Sequence, residues 1–316
     1  MAFPKLLQKL FQNDGAGPLI RRDIMPTEVI GSDALTSKTA SSSTKLVAVD
    51  GGVHSAVSPN SVFYAGVANN AGAHNSIYRG ADITSRHANG SLSTQVQAGD
   101  FTDIFIGDYI TATTTANGST VTTKWRVADI DYYMNTGDNA DNDGKHHLVL
   151  VPDACMFNAY MNSTDTTAGG YQGSAMWKTY IPMCVTAIRN AFGSGHVLSW
   201  RTILSKAVNT NAASMAGAGW TGAASDWAWC DASADLMSEP QLYGTTVFSS
   251  SFFDVGAKKR QFALFRHDPA LMNIRATFWL SAAAGGAAFA SCGSYGDAGG
   301  WNASNVNGVR PHFLYH

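Results

Sequence analysis

One segment near the C-terminus constrains the fold most, because it carries almost no charge and lies between two blocks of ordinary framework sequence. Residues 281–307 read SAAAGGAAFASCGSYGDAGGWNASNVN, with eight Ala, six Gly and four Ser. At the 14% charged fraction of the whole chain, this segment would hold about four charges, yet Asp297 is the only one. Ordinary folding requirements do not account for these side chains, which indicates that something other than folding selected them.

The composition fits asparagine codons randomised at their adenines. Codons AAC and AAT changed in this way reach Ala, Gly, Ser, Cys, Tyr, Asp, Phe, Val and Asn, but never Lys, Glu, Gln, Met or Trp. Trp301 is the only residue of 281–307 from the unreachable group, so we interpret it as a fixed framework residue. The alternatives are a Gly/Ala-rich low-complexity tail or an ordinary buried sheet edge.

With its flanks, the segment resembles the variable repeat of the target proteins of diversity-generating retroelements, in particular the phage and prophage tail-tip members of gut bacteria. The flanking blocks are FWL at 278–280 and GVRPHF at 308–313. Other blocks that look like the framework of that family follow in order at 105–110, 146–153, 235–239, 243–244 and 261–265. The resemblance covers residues 60–316. It departs from the commoner pattern at Ser281 and Ala282, where relatives often carry a charged pair, and this affects where the variable positions begin.

The resemblance implies an α+β fold: a C-type-lectin-like domain with small antiparallel sheets, two helices and long ordered loops, related to the formylglycine-generating enzymes. We expect an N-terminal attachment segment at 1–40, a connector at 41–90 with a short strand at 45–49, and the lectin-like domain at 91–316. The implied function is a phage or prophage receptor-binding protein, often a homotrimer. Its expected partners are a host cell-surface protein or glycan and, through the N-terminus, other tail proteins.

Local patterns predict several elements of the body. Residues 103–111, 119–130 and 145–151 carry β-branched and aromatic residues with partial alternation, which predicts strands. Helical spacing predicts a helix over 174–191, with Pro182 at an early turn or a kink, and part of a second helix over 203–208. Residues 209–316 are predicted to be largely irregular.

A recognition surface needs side chains that can be exchanged without unfolding the protein. The interleaved residues predicted to anchor the segment are Phe289, Ala290, Ala298, Trp301, Ala303, Ser304 and Val306. The positions predicted to be exchangeable, and to face solvent or ligand, are Gly285, Gly286, Ala288, Ser291, Gly293, Ser294, Tyr295, Asp297, Gly299, Gly300, Asn302, Asn305 and Asn307. The framework residues expected near this site are Trp279, Trp301 and Arg310.

Charge and hydropathy indicate which classes of partner the protein binds and where it is located. The formal net charge is −2 and the sequence pI is near 6.5, so we expect no binding to nucleic acid and no membrane insertion. No apolar run is long enough to span a membrane, and no secretory signal is readable. We therefore expect a virion protein of a phage tail, or a protein at the bacterial cell surface.

The motifs for metal or acid–base chemistry are weak. Residues 139–144 match the first half of a calcium loop, but Leu150 stands where a bidentate Glu is needed, so a polar hairpin turn is favoured. His146 and His147 are adjacent at the start of a strand and would point to opposite faces, which favours a structural role. We expect no cofactor, and a structural calcium ion elsewhere remains an alternative.

Two carboxylates and one cation have structural interpretations. Asp235 and Glu239 are four residues apart and could share a helix face, but framework hydrogen bonding is the favoured role. Arg310 is predicted to anchor the final strand through a buried ion pair.

The four cysteines show no CxxC spacing, which disfavours both zinc binding and a disulfide framework. We therefore expect no enzyme; the alternatives are a formylglycine-generating type of enzyme and a purely structural virion protein.

Overall fold

The computed structural model describes residues 46–50, 53–57, 63–138, 144–213, 221–248 and 260–316. The chain divides into two compact units, Met1–Gly66 and Val67–His316. In the first unit, strands β1 (Leu46–Asp50) and β2 (Val53–Val57) pair antiparallel, which confirms the strand predicted at 45–49. The predicted attachment segment at 1–40 lies outside the described residues.

The second unit contains short helices and thirteen described strands, in chain order. The helices are α1 (Ala71–His74), α2 (Thr84–Ala88), α3 (Ser91–Gln97), α4 (Gly170–Gly173), α5 (Ile181–Phe192), α6 (Glu239–Tyr243) and α7 (Ala263–His267). A π-helical turn at Met176–Tyr180 precedes α5, and 3-10 turns occur at Ser194–His196 and Pro269–Met272. The strands are β3 (Tyr109–Ala116), β4 (Ser119–Ile130), β5 (Leu148–Pro152), β6 (Phe157–Ala159), β7 (Val197–Leu198), β8 (Trp200–Ala213), β9 (Thr221–Ala232), β10 (Asp235–Leu236), β11 (Phe278–Ala283), β12 (Ala288–Cys292), β13 (Ala298–Asn302), β14 (Asn307–Val309) and β15 (Pro311–Tyr315).

Residues 67–90, which the sequence assigned to the connector, lie within the second unit. Two parallel backbone bridges tie this stretch to the main body, Tyr78 to Ile106 and Asp82 to Tyr109. The folded body therefore begins near Val67 rather than at residue 91, because backbone pairing extends further towards the N-terminus than the side-chain pattern indicates.

The central sheet has the order β10–β15–β5–β4–β3, with β7 also paired to β15. The strand predicted at 119–130 coincides with β4, and the strand predicted at 145–151 overlaps β5. The predicted strand at 103–111 begins only at Tyr109, because Asp103 takes a positive φ of 56° and the following residues turn. The predicted antiparallel sheet is thus confirmed.

Helix α5, which has 12 residues, packs on this sheet. The predicted helix at 174–191 is confirmed as the π-helical turn followed by α5, and Pro182 stands in its first turn, where its missing N–H costs little. Phe192, at the end of α5, packs its ring 5.5 Å from the ring of Trp125 on β4 and 4.9 Å from that of Phe313 on β15, measured between centroids. These rings form part of a continuous apolar core.

Residues 200–316 are far more regular than predicted. The predicted helix at 203–208 is wrong, because these residues lie within β8, which pairs antiparallel with β9 from Trp200–Ala232 to Ala213–Thr221. We call this pair the long hairpin. The C-terminal sheet has the order β13–β12–β11–β14–β6, so the stretch predicted to be irregular supplies four strands of a five-stranded sheet. The helical spacing of residues 203–208 is a local signal, and pairing with a distant strand outweighs it.

The second unit is therefore α+β, with most of its regular structure in sheets and few helices, in agreement with the predicted class. Within the described parts of the chain, no helix combines the length and apolar character that crossing a bilayer would require.

Candidate ligand-binding surface

The segment 281–307 forms one side of the C-terminal sheet. It includes the end of β11, all of β12 and the edge strand β13. Strand β12 is buried along its whole length, with Phe289 fully inaccessible, so it forms the inner support of the segment. The segment therefore has a buried inner strand and an outer strand with adjoining loops at the surface.

The exposed part of the segment carries large side chains. Tyr295 is 85% exposed, Trp301 47% and Val306 62%. Only seven large apolar side chains are exposed in the described residues, and these three belong to the variable segment. Exposed aromatic residues concentrated in one short stretch are typical of a recognition surface.

The loop after β13 is held by a carboxylate from a distant part of the chain. Asp165 accepts hydrogen bonds from Asn302 Nδ2 at 3.0 Å, from the Ser304 N–H at 3.1 Å and from the Ser304 hydroxyl at 2.6 Å. The donors on Ser304 lower the pKa of Asp165, so the carboxylate accepts these bonds in its ionised form at neutral pH. Asp165 thus fixes the loop that presents Val306.

The turn between β12 and β13 is held in a similar way. The Gly293 N–H donates to the carbonyl oxygen of Asp297 at 2.7 Å, and the Tyr243 hydroxyl donates to the same oxygen at 3.0 Å. Because Tyr243 lies at the end of α6, a residue outside the segment fixes the backbone that presents Tyr295.

The loop between β11 and β12 is clamped on two sides. The Thr167 hydroxyl lies 2.9 Å from the carbonyl oxygens of both Gly285 and Gly286. On the other side, the Gly286 N–H donates to the carbonyl oxygen of Thr221 on the long hairpin at 2.7 Å. Gly222 has a φ of +111°, and a Cβ there would lie 2.2 Å from the Gly286 nitrogen. The hairpin and this loop therefore approach too closely for any residue but glycine at 222.

The predicted framework residues Trp279 and Arg310 lie beneath this surface and are buried. Trp279 Nε1 donates to the carbonyl oxygen of Ala159 at 2.8 Å and joins β11 to β6 across the intervening β14. Arg310 donates from Nε to the carbonyl oxygen of Pro152 at 2.8 Å, and its guanidinium lies 5.1 Å from the ring centroid of Phe278.

The buried ion pair predicted for Arg310 is a misassignment. Within the described residues, Arg310 contacts backbone carbonyls and aromatic rings, and no carboxylate pairs with it. Burial lowers the pKa of Arg310, although the group stays protonated at neutral pH. Its role as an anchor of the final strand agrees with these carbonyl contacts.

The thirteen positions predicted to be exchangeable differ in exposure. Tyr295, Asp297, Asn302 and Asn305 are exposed. Those of intermediate exposure are Gly286, Gly293, Ser294, Gly299, Gly300 and Asn307. Gly285, Ala288 and Ser291 are buried, so the expectation that these three face solvent is wrong. The reason is that β12 is covered on both faces, which removes the inside–outside alternation assumed for it.

The residues predicted to anchor the segment also differ in exposure. Phe289, Ala290 and Ala303 are buried as expected, and Ala298 is half-buried. Trp301, Ser304 and Val306 are exposed, so their assignment as inward-facing anchors is wrong, because β13 is the outermost strand of its sheet. Trp301 is paired in register with Phe289 on β12.

The other sequence motifs have structural roles. His146 Nδ1 lies 2.7 Å from Asp131 Oδ2, while the buried His147 accepts the Tyr133 N–H at Nε2, at 3.1 Å. Burial lowers the pKa of His147 to about 4. The structural role predicted for this pair is confirmed. Residues 139–143 of the half calcium loop lie outside the described residues, and the described part of the chain brings together no group of three metal-ligating His, Cys, Asp or Glu side chains.

Asp235 and Glu239 are both buried hydrogen-bond acceptors, as predicted, but they do not share a helix face, because Asp235 lies in β10. Glu239 accepts the N–H groups of Val247 at 3.0 Å and Phe248 at 2.9 Å.

Sequence reasoning missed Asp165, Thr167 and Tyr243, which hold the three loops of the surface. They lie 54 to 139 positions along the chain from the residues they bond, in polar loops and a short helix, and no local pattern marks them.

Comparison with known proteins gives no family model, no curated protein and no solved structure that matches this chain.

Proposed function

We propose that the protein is a phage or prophage receptor-binding protein, a tail-tip adhesin, whose segment 281–307 forms a ligand-binding surface diversified by a retroelement. The observation that carries this proposal is that the exposed side chains belong to the segment, whereas the groups that hold its backbone belong to other parts of the chain. Tyr295, Trp301 and Val306 project outward, while residues from distant parts of the chain fix the backbone that bears them. Side chains on such a backbone can be exchanged with little effect on folding.

The proposal includes the finer fold. Within the α+β class we assign the second unit to the C-type-lectin-like architecture, supported by its small antiparallel sheets and by long loops held through side-chain hydrogen bonds. The N-terminal segment attaches the protein to other tail proteins. The ligand is a protein or glycan on the host surface, and no enzymatic activity is proposed.

The segment offers few large contact side chains, so we propose that strong binding requires several copies of the protein acting together. Tyr295 and Trp301 are the large amphipathic side chains at the surface of the segment, and interfaces depend on a few such residues. A homotrimer would present three copies, and simultaneous engagement raises the effective affinity by a factor on the order of 100 or more. Light scattering checks this part of the proposal: a particle of three chains is expected, and a mass of one chain contradicts it.

Binding to whole cells tests the proposal. The labelled full chain is incubated with a panel of gut bacterial strains, and bound fluorescence is counted by flow cytometry. We expect binding to at least one strain, and a loss of about 30-fold for each aromatic hot spot removed by Tyr295→Ala or Trp301→Ala. Met183→Ala is the matched control, because Met183 is an exposed apolar residue on α5, outside the segment.

Two outcomes contradict the proposal. One is binding that survives the double substitution of Tyr295 and Trp301, and the other is the absence of binding to every strain. Either result favours the alternative, a structural tail or decoration protein without a diversified site.

A further inference from the structure

A narrow cleft lies beside the variable segment, between the long hairpin, the start of α6 and the end of β11. Its volume is about 60 Å³, and its walls include Leu204 and Trp227 from the hairpin, Asp235 from β10, Gln241 from α6 and Ser281 from β11. A water molecule needs about 10–15 Å³ on this measure, so the cleft has room for a small functional group with a short chain but not for a large ligand.

Asp235 lines this cleft, and its hydrogen bonds all fall on one of its two carboxyl oxygens. The Tyr171 hydroxyl donates to Oδ1 at 2.9 Å, and the Leu236 N–H donates to the same atom at 2.8 Å. Among the described residues, no donor bonds to Oδ2. The side chain is 96% buried, and burial raises its pKa to about 7. A buried carboxylate that lacks a cationic partner is costly unless something supplies the opposite charge.

The other polar side chains around the cleft are uncharged, and Gln241 and Tyr133 are hydrogen-bonded to each other. Gln241 donates from Nε2 to the Tyr133 hydroxyl and accepts the Ser238 N–H at 2.9 Å. The Tyr133 hydroxyl also lies 2.9 Å from His312 Nε2, and burial lowers the pKa of His312 to about 3, so this ring is neutral. The residues lining the cleft include no Lys, Arg or His, and Asp235 is the only carboxylate among them.

We propose that this cleft binds a primary ammonium group, with Asp235 Oδ2 as its ionic partner and Trp227 as an aromatic wall. An ammonium has three donors and one positive charge. The Asp235 carboxylate supplies an acceptor and the opposite charge, and the indole of Trp227 lines the same cleft. The group comes from a lysine side chain or from an amino sugar, since both present the same chemistry. Asp235 and Trp227, which carry the inference, lie outside 281–307, while Ser281, Ala282 and Ala283 at the start of the segment line another part of the cleft wall.

The test uses the full chain and n-butylammonium chloride, with butan-1-ol as the neutral probe of matched length, in ligand-observed NMR titrations. At pH 8.5 we expect the ammonium to bind and the alcohol not to bind. Binding should weaken about 30-fold at pH 5.5, because Asp235 becomes protonated while the amine stays charged at both values. The other titratable groups facing Asp235 are Tyr171, Tyr133, His312 and Cys230. Burial raises the pKa of the two tyrosines and of Cys230 and lowers that of His312 to about 3, so none of them titrates in this range.

Two substitutions distinguish binding at Asp235 from a general attraction of cations to negative surface charge. Asp235→Asn keeps an acceptor for the Tyr171 hydroxyl, and we expect it to abolish binding of the ammonium. Asp226→Asn removes an exposed carboxylate next to Trp227 and should leave binding within about twofold, as expected for a screened surface charge. Equal binding of both probes, unchanged binding in Asp235→Asn, or no rise in affinity with pH in the wild type would each overturn the proposal.

If the ammonium binds, lysine methyl ester and glucosamine separate the two sources. Tighter binding of the first indicates a protein receptor, and tighter binding of the second indicates a glycan. Loss of cell binding with retained ammonium binding would contradict the adhesin proposal and leave this site intact.

Discussion

Replacing Asp235 with Asn should stabilise the protein in a way that depends strongly on pH. The carboxyl lies almost entirely buried between β10, α4 and the cleft, and its hydrogen bonds come from Tyr171 and Leu236. Burial is the largest influence on its pKa, which rises from an ordinary 3.8 to about 7. The folded protein therefore favours the protonated acid, whereas the unfolded chain ionises it above about pH 4.

The sign and the size follow from proton linkage. An acid whose pKa is raised in the folded state contributes stability that is fully present below pH 3.8 and is lost as the pH rises through 7. Each tenfold difference in proton affinity is worth about 1.4 kcal/mol, so the loss between these limits is roughly 4 kcal/mol. Because asparagine does not titrate, the Asp235→Asn variant should gain up to this amount over the wild type between pH 4 and pH 8.

Urea or thermal unfolding of both proteins at several pH values measures this difference directly. For a unit of this size, roughly 4 kcal/mol corresponds to a rise in Tm of about 8–15 °C. Asp226→Asn serves as the control, because its exposed pair with Lys206 should contribute less than about 1 kcal/mol at any pH. A stability difference between wild type and Asp235→Asn that stays constant from pH 4 to pH 8 would refute the account of a buried, partly protonated acid.

Three further substitutions test the support of the surface by unfolding measurements. Phe289→Ala should lower the free energy of unfolding by about 3–5 kcal/mol because it opens a cavity in β12, whereas the exposed Val306→Ala should change it by less than about 0.5 kcal/mol; equal effects would contradict the assigned burial. Gly222→Ala should cost about 1–3 kcal/mol, since its φ is +111° and the new Cβ would lie 2.2 Å from a backbone nitrogen; an unchanged Tm would contradict the close approach.

The sequence predicted those elements that local patterns determine. The strand at 119–130 coincides with β4 because its β-branched residues and its turn at Asn117–Gly118 are local signals. Helix α5 was predicted because an apolar stripe and an early proline both occur within one continuous stretch.

Elements that depend on distant partners were not predicted. Residues 203–208 have helical spacing, but pairing with β9 makes them a strand. Ala288 and Ser291 were expected at the surface, yet their strand is covered on both faces, which no local signal reveals. Asp165 became part of the site only because folding brings a polar loop beside Ser304. The position of the surface could thus be predicted from composition, but its inner and outer faces could not.

Deep sequencing of the DNA encoding residues 278–313, across a population that carries this gene, tests the central claim most directly when the adjacent locus is read with it. The account predicts substitutions confined to adenine-templated positions, a near-repeat and a reverse transcriptase nearby. It also predicts the widest range of side chains at the exposed Tyr295, Asp297, Asn302 and Asn305, and only small residues at the buried Ala288 and Ser291. Uniformly low variation without a template repeat would contradict it and would make the segment ordinary packing in a structural virion protein.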